Sequence, residues 1–578
     1  MGQRNSVKRM IRRLDQTYEY DREPISGENL HGGRYFAGLF AGEHVAATEF
    51  VIGALFVSWG AGVADIIFGL LLGNLFAVLS WAGITAPMAV QVRLTLYWYL
   101  RRIVGPVVTI IYNVLNAVLY CVLAGAMITV AASAVRIPFH IPAQTSWFPE
   151  DIRFVLVVLV VGAVVVTFAI LGFKRVAQFS TLSAPWMIIM FVAGALVSLP
   201  LLAAGVPEIG QIRSFADFWN LADQTIWTGQ TAGQMTPLGF WHVAAFAWIA
   251  NLAMHVGLSD MAIFRYARRA AYGFYSVFGM YLGHYLAWIA AGIMGAAAAT
   301  AMQQPLIELD AGGVAFYALG VSGAIAVVIA GWTTSNPTLY RAGLALQVVT
   351  PNWPRWLVTL IAGSITTLIA CSPFVFTKLL DFVGLYGLLL MPIGAVVVVE
   401  HWIFPRIGFT RYWIARQGRL LNWPALTAWI LAILIAMILW QTGVLHLFFL
   451  FIPVWFITSI LYIAFAAMAG ATKPLSAEDE KPVEDVDREN DGTAATEGLA
   501  GKAPVDGSSS QYPLPAKIAG IIALLALLLT LALPLQVLFM GAEGLTDRVE
   551  WIKDILSWLT LVYFISGAVW LYNKEKGK

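Results

Sequence analysis

Long apolar stretches, each bounded by polar or charged residues, follow one another along almost the whole chain. Each is close to the roughly 20 residues that a helix needs to cross the hydrocarbon core of a bilayer. The pattern therefore predicts an all-α integral membrane protein with about fourteen spanning helices. We number the predicted spans 1 to 14; in chain order they cover 37–58, 62–84, 103–132, 153–173, 182–204, 239–259, 271–300, 313–335, 355–373, 382–402, 423–441, 444–469, 516–540 and 552–572.

The composition favours a membrane protein over a soluble one. Hydrophobic residues make up 59% of the chain and charged residues 12%, whereas a soluble domain has about 25% charged residues. The mean hydropathy is +0.76, and so large an apolar excess cannot be hidden in one globular core. We expect membrane lipid to surround the protein, and we expect no nucleic acid among its partners.

Basic residues are distributed unevenly between the two sides of the predicted bundle. With the N-terminus in the cytoplasm, the cytoplasmic segments outside 470–515 hold 24 Lys and Arg, and the opposite loops hold six. Membrane proteins keep an excess of positive charge on the cytoplasmic side. The distribution therefore predicts a multi-pass protein of the cell inner (plasma) membrane with both termini in the cytoplasm.

One stretch breaks the apolar pattern and divides the chain. Residues 470–515 are rich in Ala, Glu, Asp, Gly and Ser, with nine acidic and two basic residues between Glu478 and Glu497. Such a composition buries too little apolar surface to fold alone, so we expect a disordered cytoplasmic linker that serves as a tether or binds a cytoplasmic partner. The predicted domains are a cytoplasmic tail (1–36), a twelve-helix core (37–469), the linker (470–515) and a two-helix membrane appendix (516–578).

Ionisable and polar side chains interrupt two of the apolar spans. Such side chains are costly in a bilayer and usually face a cavity or the bundle interior, which makes them functional candidates. Spans 1 and 6 are five helices apart, and many transporters contain two inverted repeats whose corresponding helices are broken near the midplane. The spacing favours a repeat-built transporter over a channel or a scaffold. The interrupting residues are Glu43, His44, Thr48 and Glu49 in span 1, and Asn251, His255, Ser259 and Asp260 in span 6.

A third group of polar residues lies at the end of span 8, where the sequence AGWTTSNP at 330–337 is predicted to interrupt a long apolar helix. Hydroxyl groups and freed backbone carbonyls are oxygen ligands of the kind that small hard cations prefer. Adjacent threonines also have a purely structural explanation, because a threonine hydroxyl in a membrane helix commonly bonds the carbonyl one turn back. The residues alone leave both interpretations open.

Taken in order, these motifs resemble the nucleobase:cation symporter-1 family, which includes cytosine permease and the hydantoin transporter. The string WTTSNPTLYRAGLAL at 332–346 is similar to the family pattern W-[ST]-T-N-D-N-x-L-Y-x-A-G-L-A-L. Weaker similarities are GLLLGN in span 2, and Ser259-Asp260 followed by FRYARR. The resemblance covers residues 37 to about 470 and implies a LeuT-type fold. In that fold ten core helices form two inverted five-helix repeats, joined here by two further helices and the two of the appendix.

The resemblance also implies a cation site between spans 1 and 8. Carried over by position, its hydroxyl ligands are Thr333 and Thr334, and its carbonyl ligands are Ala330 and the residues near Glu43 and Ala47. The retained hydroxyl pair favours sodium as the coupling ion, whereas the neighbouring glutamates would also suit a proton. We expect no cofactor other than this ion.

For the substrate, the resemblance implies a flat ring held between aromatic side chains of spans 3 and 6. Here the span 6 aromatic position falls on Asn251, and span 3 has Tyr and Asn where Gln and Trp are expected. The predicted pocket therefore departs from the family by being rich in amides and poor in aromatics. The candidate substrate-binding residues are Thr48, Glu49, Tyr112, Asn113, Asn116, Trp248, Asn251 and His255.

The leading hypothesis is cation-coupled symport of a nucleobase-like or related small nitrogenous compound by alternating access. Because the aromatic pair is missing, an amino-acid or amine transporter on the same scaffold is an alternative. A third hypothesis is a membrane sensor or scaffold that keeps this fold without transport. We do not expect an enzyme, since the eight histidines form no HExxH or similar metal pattern.

Overall fold

The structure is a computed structural model that describes residues 22–170, 173–231, 237–473 and 514–576. These residues are predominantly helical, and the β-pairing among them is limited to two isolated bridges. The predicted acidic linker lies almost wholly outside the described residues, as does most of the predicted N-terminal tail. The roles proposed for these two segments stay predictions.

Every predicted span coincides with helix in the structure. Eleven helices are long and apolar enough to cross a membrane, and a bent pair at span 1 brings the number to twelve within the described residues. Spans 6 and 9 contain shorter apolar helices, Phe240–Ile249 and Arg355–Ala370. The bent pair is Gly33–His44 with Thr48–Ser58; the eleven are Val63–Val92, Gly105–Val135, Ile152–Ile170, Leu182–Ala204, Ala270–Met302, Ala311–Val349, Asp381–Ile407, Trp423–Gln441, Phe451–Met468, Leu514–Leu538 and Leu545–Asn573.

Span 1 is broken where its polar residues interrupt the apolar sequence. Its two halves, Gly33–His44 and Thr48–Ser58, meet at an angle of 58° across a three-residue gap. The second half restarts with short turns, in which the Glu49 and Phe50 amides donate to the carbonyls of Ala46 and Ala47, each at 3.2 Å. Non-helical backbone at membrane depth is tolerated only where it is buried in protein or lines a cavity.

Span 6 is broken as well. The helix Phe240–Ile249 stops before Asn251, a single turn follows at Leu252–His255, and Leu258 then adopts a positive φ of 68°. Positive φ is uncommon for a residue with a side chain, and here it ends the turn. The Asp260 amide donates to the Met254 carbonyl at 3.1 Å, which holds the carboxylate of Asp260 beyond the helix end.

The predicted interruption of span 8 at 330–337 is wrong. Helix Ala311–Val349 runs through this stretch, and its one residue with non-helical dihedrals is Gly320, at φ 61° and ψ −142°. Pro337 cannot donate to the carbonyl of Thr333, and the side chains on either side of it bond the two adjacent carbonyls. The Asn336 amide donates to the Trp332 carbonyl at 2.9 Å, and the Thr338 hydroxyl donates to the Thr334 carbonyl at 2.9 Å.

Glycines set the distances between the broken spans and their neighbours. A Cβ on Gly53 of span 1 would lie 2.3 Å from the Trp288 carbonyl oxygen of span 7, and one on Gly73 of span 2 would lie 2.1 Å from the Ala244 carbonyl oxygen of span 6. Small residues at such contacts let helix backbones approach closely in a membrane. Spans 1 and 6 are thereby fixed against spans 7 and 2.

The C-terminal appendix packs on the core. The Tyr563 hydroxyl of span 14 donates to the Leu182 carbonyl of span 5 at 2.7 Å. Gly567 allows this approach, since a Cβ there would lie 2.3 Å from Leu182. Lys553 of span 14 also lies against the kink of span 8, with its ammonium nitrogen 5.2 Å from the centre of the Tyr317 ring.

The close contact at Gly73 gives a stability prediction. Replacing Gly73 with valine should destabilise the protein by about 1–3 kcal/mol, because spans 2 and 6 must separate to make room. Gly38→Val is the matched control, since nothing lies within 4 Å of a Cβ there. Thermal unfolding of the purified variants in detergent measures the difference, and equal melting temperatures for the two would contradict the proposed packing.

Candidate functional site

The break in span 1 opens onto a buried cavity at the centre of the bundle. Its volume is about 50 Å³, well below the roughly 300 Å³ at the small end of ligand pockets. Side chains from spans 1, 3, 6, 7, 8 and 10 surround it. They belong to Glu43, His44, Ala46, Thr48, Glu49, Ile52, Leu123, Met127, Ala250, Asn251, Met254, His284, Trp288, Thr334, Thr338, Leu379 and Val383.

Oxygen atoms of spans 1 and 8 converge beside this cavity. The Thr334 hydroxyl oxygen lies 3.1 Å from the Glu43 carbonyl oxygen and 3.0 Å from the Ala330 carbonyl oxygen. The Thr333 hydroxyl oxygen lies 3.1 Å from the same Ala330 carbonyl. Bonds from both threonines to Ala330 are the ordinary contacts of a helix. The contact from Thr334 to Glu43 joins the two spans, and it brings four hard oxygen donors together.

The fifth predicted cation ligand, Ala47, lies at the start of the second half of span 1. Its carbonyl accepts a hydrogen bond from the Phe50 amide at 3.2 Å, so it takes part in restarting the helix. The neighbouring Ala46 lines the cavity. The oxygens of Glu43, Ala330, Thr333 and Thr334 form one group, which we call the oxygen cluster.

A buried guanidinium links the cluster to span 6. Arg341 lies on span 8 and donates from its two terminal nitrogens to the carboxylate of Glu43, the longer bond measuring 3.2 Å. It also donates to Oδ1 of Asp260, from Nε at 3.1 Å and from Nη2 at 2.6 Å. The other carboxylate oxygen of Asp260 accepts from the Trp81 indole N–H at 2.8 Å. We call Glu43, Arg341 and Asp260 the charge triad.

Glu43 belongs to both groups. Its carbonyl faces the Thr334 hydroxyl while its carboxylate pairs with Arg341. Arg341, Glu43 and Asp260 are at most 4% exposed. A buried charge is costly unless it is paired and hydrogen-bonded, so the triad constrains the positions of spans 1, 6 and 8 relative to one another.

A second carboxylate lies on the other half of span 1. Glu49 accepts a hydrogen bond from the Trp288 indole, and the Nε2 atom of His284 is 3.7 Å from its Oε1. The His284 and Trp288 rings stack with centroids 4.3 Å apart and an interplanar angle of 16°. Asn251 completes this group, with its amide nitrogen 3.5 Å from His284.

The structure brings some of the predicted substrate-binding residues to the cavity. Thr48, Glu49 and Asn251 line it. The candidates of span 3 are absent from the lining. Span 3 meets the cavity through Leu123 and Met127, which lie seven and eleven residues beyond Asn116, or about 10 and 16 Å along the helix axis.

Of the five remaining candidates, Asn116 is fully buried, and the other four make contacts within the protein. The Asn113 amide donates to the Tyr97 carbonyl at 3.1 Å, and the Tyr112 ring lies 6.0 Å from that of Trp429. In span 6, the Trp248 indole donates to the Ser80 hydroxyl at 3.0 Å. His255 bonds the Trp248 carbonyl at 2.9 Å, so these two side chains support the break of span 6.

Sequence reasoning missed three important residues: His284, Trp288 and Arg341. Arg341 was counted with the cytoplasmic loops because span 8 was ended too early. His284 and Trp288 could have been found from the sequence. Both rings have a nitrogen that can form a hydrogen bond, and residues four apart lie on one face of a helix. An ionisable residue inside an apolar span is a functional candidate by default, and His284 met that criterion.

Comparison with solved structures identifies proteins of the same fold. One is Mhp1, described as a nucleobase-cation-symport-1 family transporter, in a closed conformation with bromovinylhydantoin bound. The two chains are 16% identical with a TM-score of 0.61, and the match covers 82% of this chain and 98% of Mhp1. Mhp1 in an inward-facing conformation matches with 18% identity and a TM-score of 0.58, over 82% and 99% of the two chains. A substrate-bound, outward-open Na+-coupled sialic acid symporter matches with 15% identity and a TM-score of 0.56, over 80% and 95%.

The sequence comparisons find no further relatives, since neither a protein-family model nor a curated protein sequence matches the chain. At these identities the structural likeness shows the fold. It confirms the predicted all-α, LeuT-type membrane bundle.

The charge triad gives a prediction about stability. Arg341→Met should destabilise the protein by about 3–5 kcal/mol, because it leaves two buried carboxylates without their partner. The triple variant Glu43→Gln, Asp260→Asn, Arg341→Met removes all three charges and should recover most of this loss. Thermal unfolding in detergent measures both effects.

The control is Arg153→Met, which removes an arginine whose side chain is 57% exposed and should change stability by at most about 0.5 kcal/mol. A triple variant as unstable as Arg341→Met would show that the cost does not come from unpaired charge.

Proposed function

We propose that this protein is a secondary active transporter that couples the movement of a cation to the symport of a small nitrogenous compound. The observation that carries the proposal is the contact between the Thr334 hydroxyl and the Glu43 carbonyl at the break in span 1. It joins a carbonyl from a broken helix to a hydroxyl from a second helix, inside the membrane and beside a cavity. Transporters bind their coupling cation with groups of this kind.

Sodium fits the oxygen cluster chemically. Two carbonyls and two hydroxyls are hard, neutral donors, and the nearby triad has two carboxylates for one guanidinium. The remaining negative charge favours a cation at the cluster over an anion or an empty site. Sodium coupling also agrees with the sialic acid symporter of the same fold, which is described as Na+-coupled.

Alternating access follows from where the cluster and the triad lie. The cluster connects span 1 to span 8, and the triad connects spans 1 and 6 to span 8. A cation that enters the cluster pulls the Glu43 carbonyl and the Thr334 hydroxyl towards one point. A cavity of about 50 Å³ is too small for a nucleobase-sized compound, so its walls must move apart to admit one. We propose that spans 1 and 6 make this movement against span 8.

The substrate part of the proposal rests on the cavity lining. Trp288 provides an aromatic ring in the cavity wall, and Glu49, Asn251 and Thr48 provide hydrogen-bonding groups for a polar edge. This combination suits a small nitrogenous compound such as a heterocycle or an amine. The bromovinylhydantoin held by Mhp1, a protein of the same fold, is a compound of this general size and polarity.

We further propose that the protein resides in the cell inner (plasma) membrane with both termini in the cytoplasm. The excess of Lys and Arg in the loops assigned to that side supports this orientation. The structural neighbours are transporters, which agrees with a transport role.

Sodium binding provides the test. Sodium at 100 times its Kd should stabilise the purified protein by about 2.7 kcal/mol relative to potassium at equal ionic strength, by mass action. The double variant Thr333→Val, Thr334→Val removes both hydroxyl ligands at nearly constant shape and should abolish this stabilisation. Thermal unfolding with increasing sodium measures it.

The matched control is Thr458→Val, which removes a buried hydroxyl that bonds only its own helix, at the Val454 carbonyl. This variant should respond to sodium as the unmodified protein does. Unchanged sodium stabilisation in the Thr333→Val, Thr334→Val variant would refute the proposed cation site.

A further inference from the structure

Among the described residues around it, the buried carboxyl group of Glu49 has no Lys or Arg partner. Glu49 is 2% exposed, and its contacts are the neutral Trp288 indole and the His284 ring at 3.7 Å. The described residues that line the cavity include no Lys or Arg. A carboxyl group buried in this way either takes up a proton or is balanced by a positive charge nearby.

The number of charged side chains near the cavity determines how much positive charge is needed to balance them. Among the described residues, the carboxylates of Glu43 and Asp260 share the guanidinium of Arg341, and the carboxyl group of Glu49 lies apart from it, next to His284. With Glu49 ionised, two negative charges remain. If one sodium ion occupies the oxygen cluster, it balances one of them, and the charge on the other half of span 1 is left for the substrate.

The remaining hydrogen-bonding capacity of the cavity also favours a donor-rich compound. The Nδ1 atom of His44 bonds the Phe40 carbonyl at 2.9 Å, so Nδ1 carries the proton and Nε2 of the neutral ring is an acceptor. His44 is 3% exposed and lines the cavity, and within the described residues its Nε2 has no hydrogen-bond partner. The carboxylate and this nitrogen both accept hydrogen bonds.

Trp288 fixes the position of the carboxyl group. It lines the cavity and donates its indole N–H to Glu49. The His284 ring stacks on Trp288, with the ring centroids 4.3 Å apart. The carboxyl group is therefore held at the cavity wall, where it can pair with a charged group of the substrate.

We infer that the substrate carries one positive charge on nitrogen, as a protonated amine, an amidine or a guanidine, with Glu49 as its counter-ion. The inference rests on the proposed function and narrows it from nitrogenous compounds in general to monovalent cations. Glu49 pairs with the charged group, and His44 accepts a further N–H.

Matched pairs of compounds test the charge directly. Benzamidine and benzamide are nearly isosteric, as are methylguanidine and N-methylurea, and in each pair only the first is a cation. Thermal unfolding of the full-length protein in saturating sodium is recorded over a concentration series of each compound. The cation should stabilise the protein at concentrations at least tenfold lower than its neutral partner.

Two variants assign the effect to Glu49. Glu49→Gln should weaken binding of the cations by about 100-fold, since the cation then enters a buried site with no counter-charge, and should leave the neutral compounds unchanged. Glu49→Asp keeps the charge and should keep the preference for the cation. Sodium stabilisation should persist in both, which shows that they fold and retain the oxygen cluster.

Failure of this inference is distinguishable from failure of the proposed function. If sodium stabilises the protein but no pair shows a preference for the cation, or the neutral member binds better, the substrate assignment is overturned while cation coupling stands. A cation preference that survives in Glu49→Gln also overturns the role of Glu49. Absence of sodium stabilisation instead removes the proposed coupling ion.

Discussion

Backbone polar groups inside a bilayer must find hydrogen-bond partners in the protein, and this constraint shapes the structure around span 1. Span 1 stops being helical at the membrane interior for three residues, and each unsatisfied group there would cost several kcal/mol. The structure satisfies the break locally, through the short turns at Ala46 and Ala47 and through the Thr334 hydroxyl at the Glu43 carbonyl. The Thr334 hydroxyl, which bonds the Glu43 carbonyl at the break, is also one of the proposed cation ligands.

The charge triad extends this constraint to the rest of the bundle. Arg341 pairs with Glu43 on span 1 and with Asp260, which follows the helical turn of span 6. Since the two broken spans share one guanidinium on span 8, neither can move far without separating buried charges. A cation bound at the proposed site next to Glu43 would alter the charge balance at this point. The triad would thus link an ion in the cluster to the positions of the two broken helices that line the proposed substrate cavity.

The sequence predicted the bundle well because apolar length is a strong local signal. It also located both broken spans, since Glu43, Glu49 and Asn251 are costly in apolar surroundings.

The sequence did not predict features that depend on contacts between residues far apart in the chain. Arg341 lies 298 residues from Glu43, and no local pattern relates them. Span 3 is a 31-residue helix without a break, so the sequence pattern could not show which of its turns meets the cavity. The predicted residues Tyr112, Asn113 and Asn116 lie nearer the N-terminus of the helix than Leu123, which lines the cavity. Pro337 suggested an interruption, but the helix continues through it, and the side chains of Asn336 and Thr338 bond the carbonyls of Trp332 and Thr334.

The proposed binding of a monovalent cation where spans 1 and 8 meet can be seen directly in a crystal structure determined with thallium(I), which replaces monovalent metal ions and scatters anomalously. We expect an anomalous peak within bonding distance of the Glu43 and Ala330 carbonyls and the Thr333 and Thr334 hydroxyls. A structure in which thallium occupies other positions, while the Thr334 hydroxyl still donates to the Glu43 carbonyl, would contradict it.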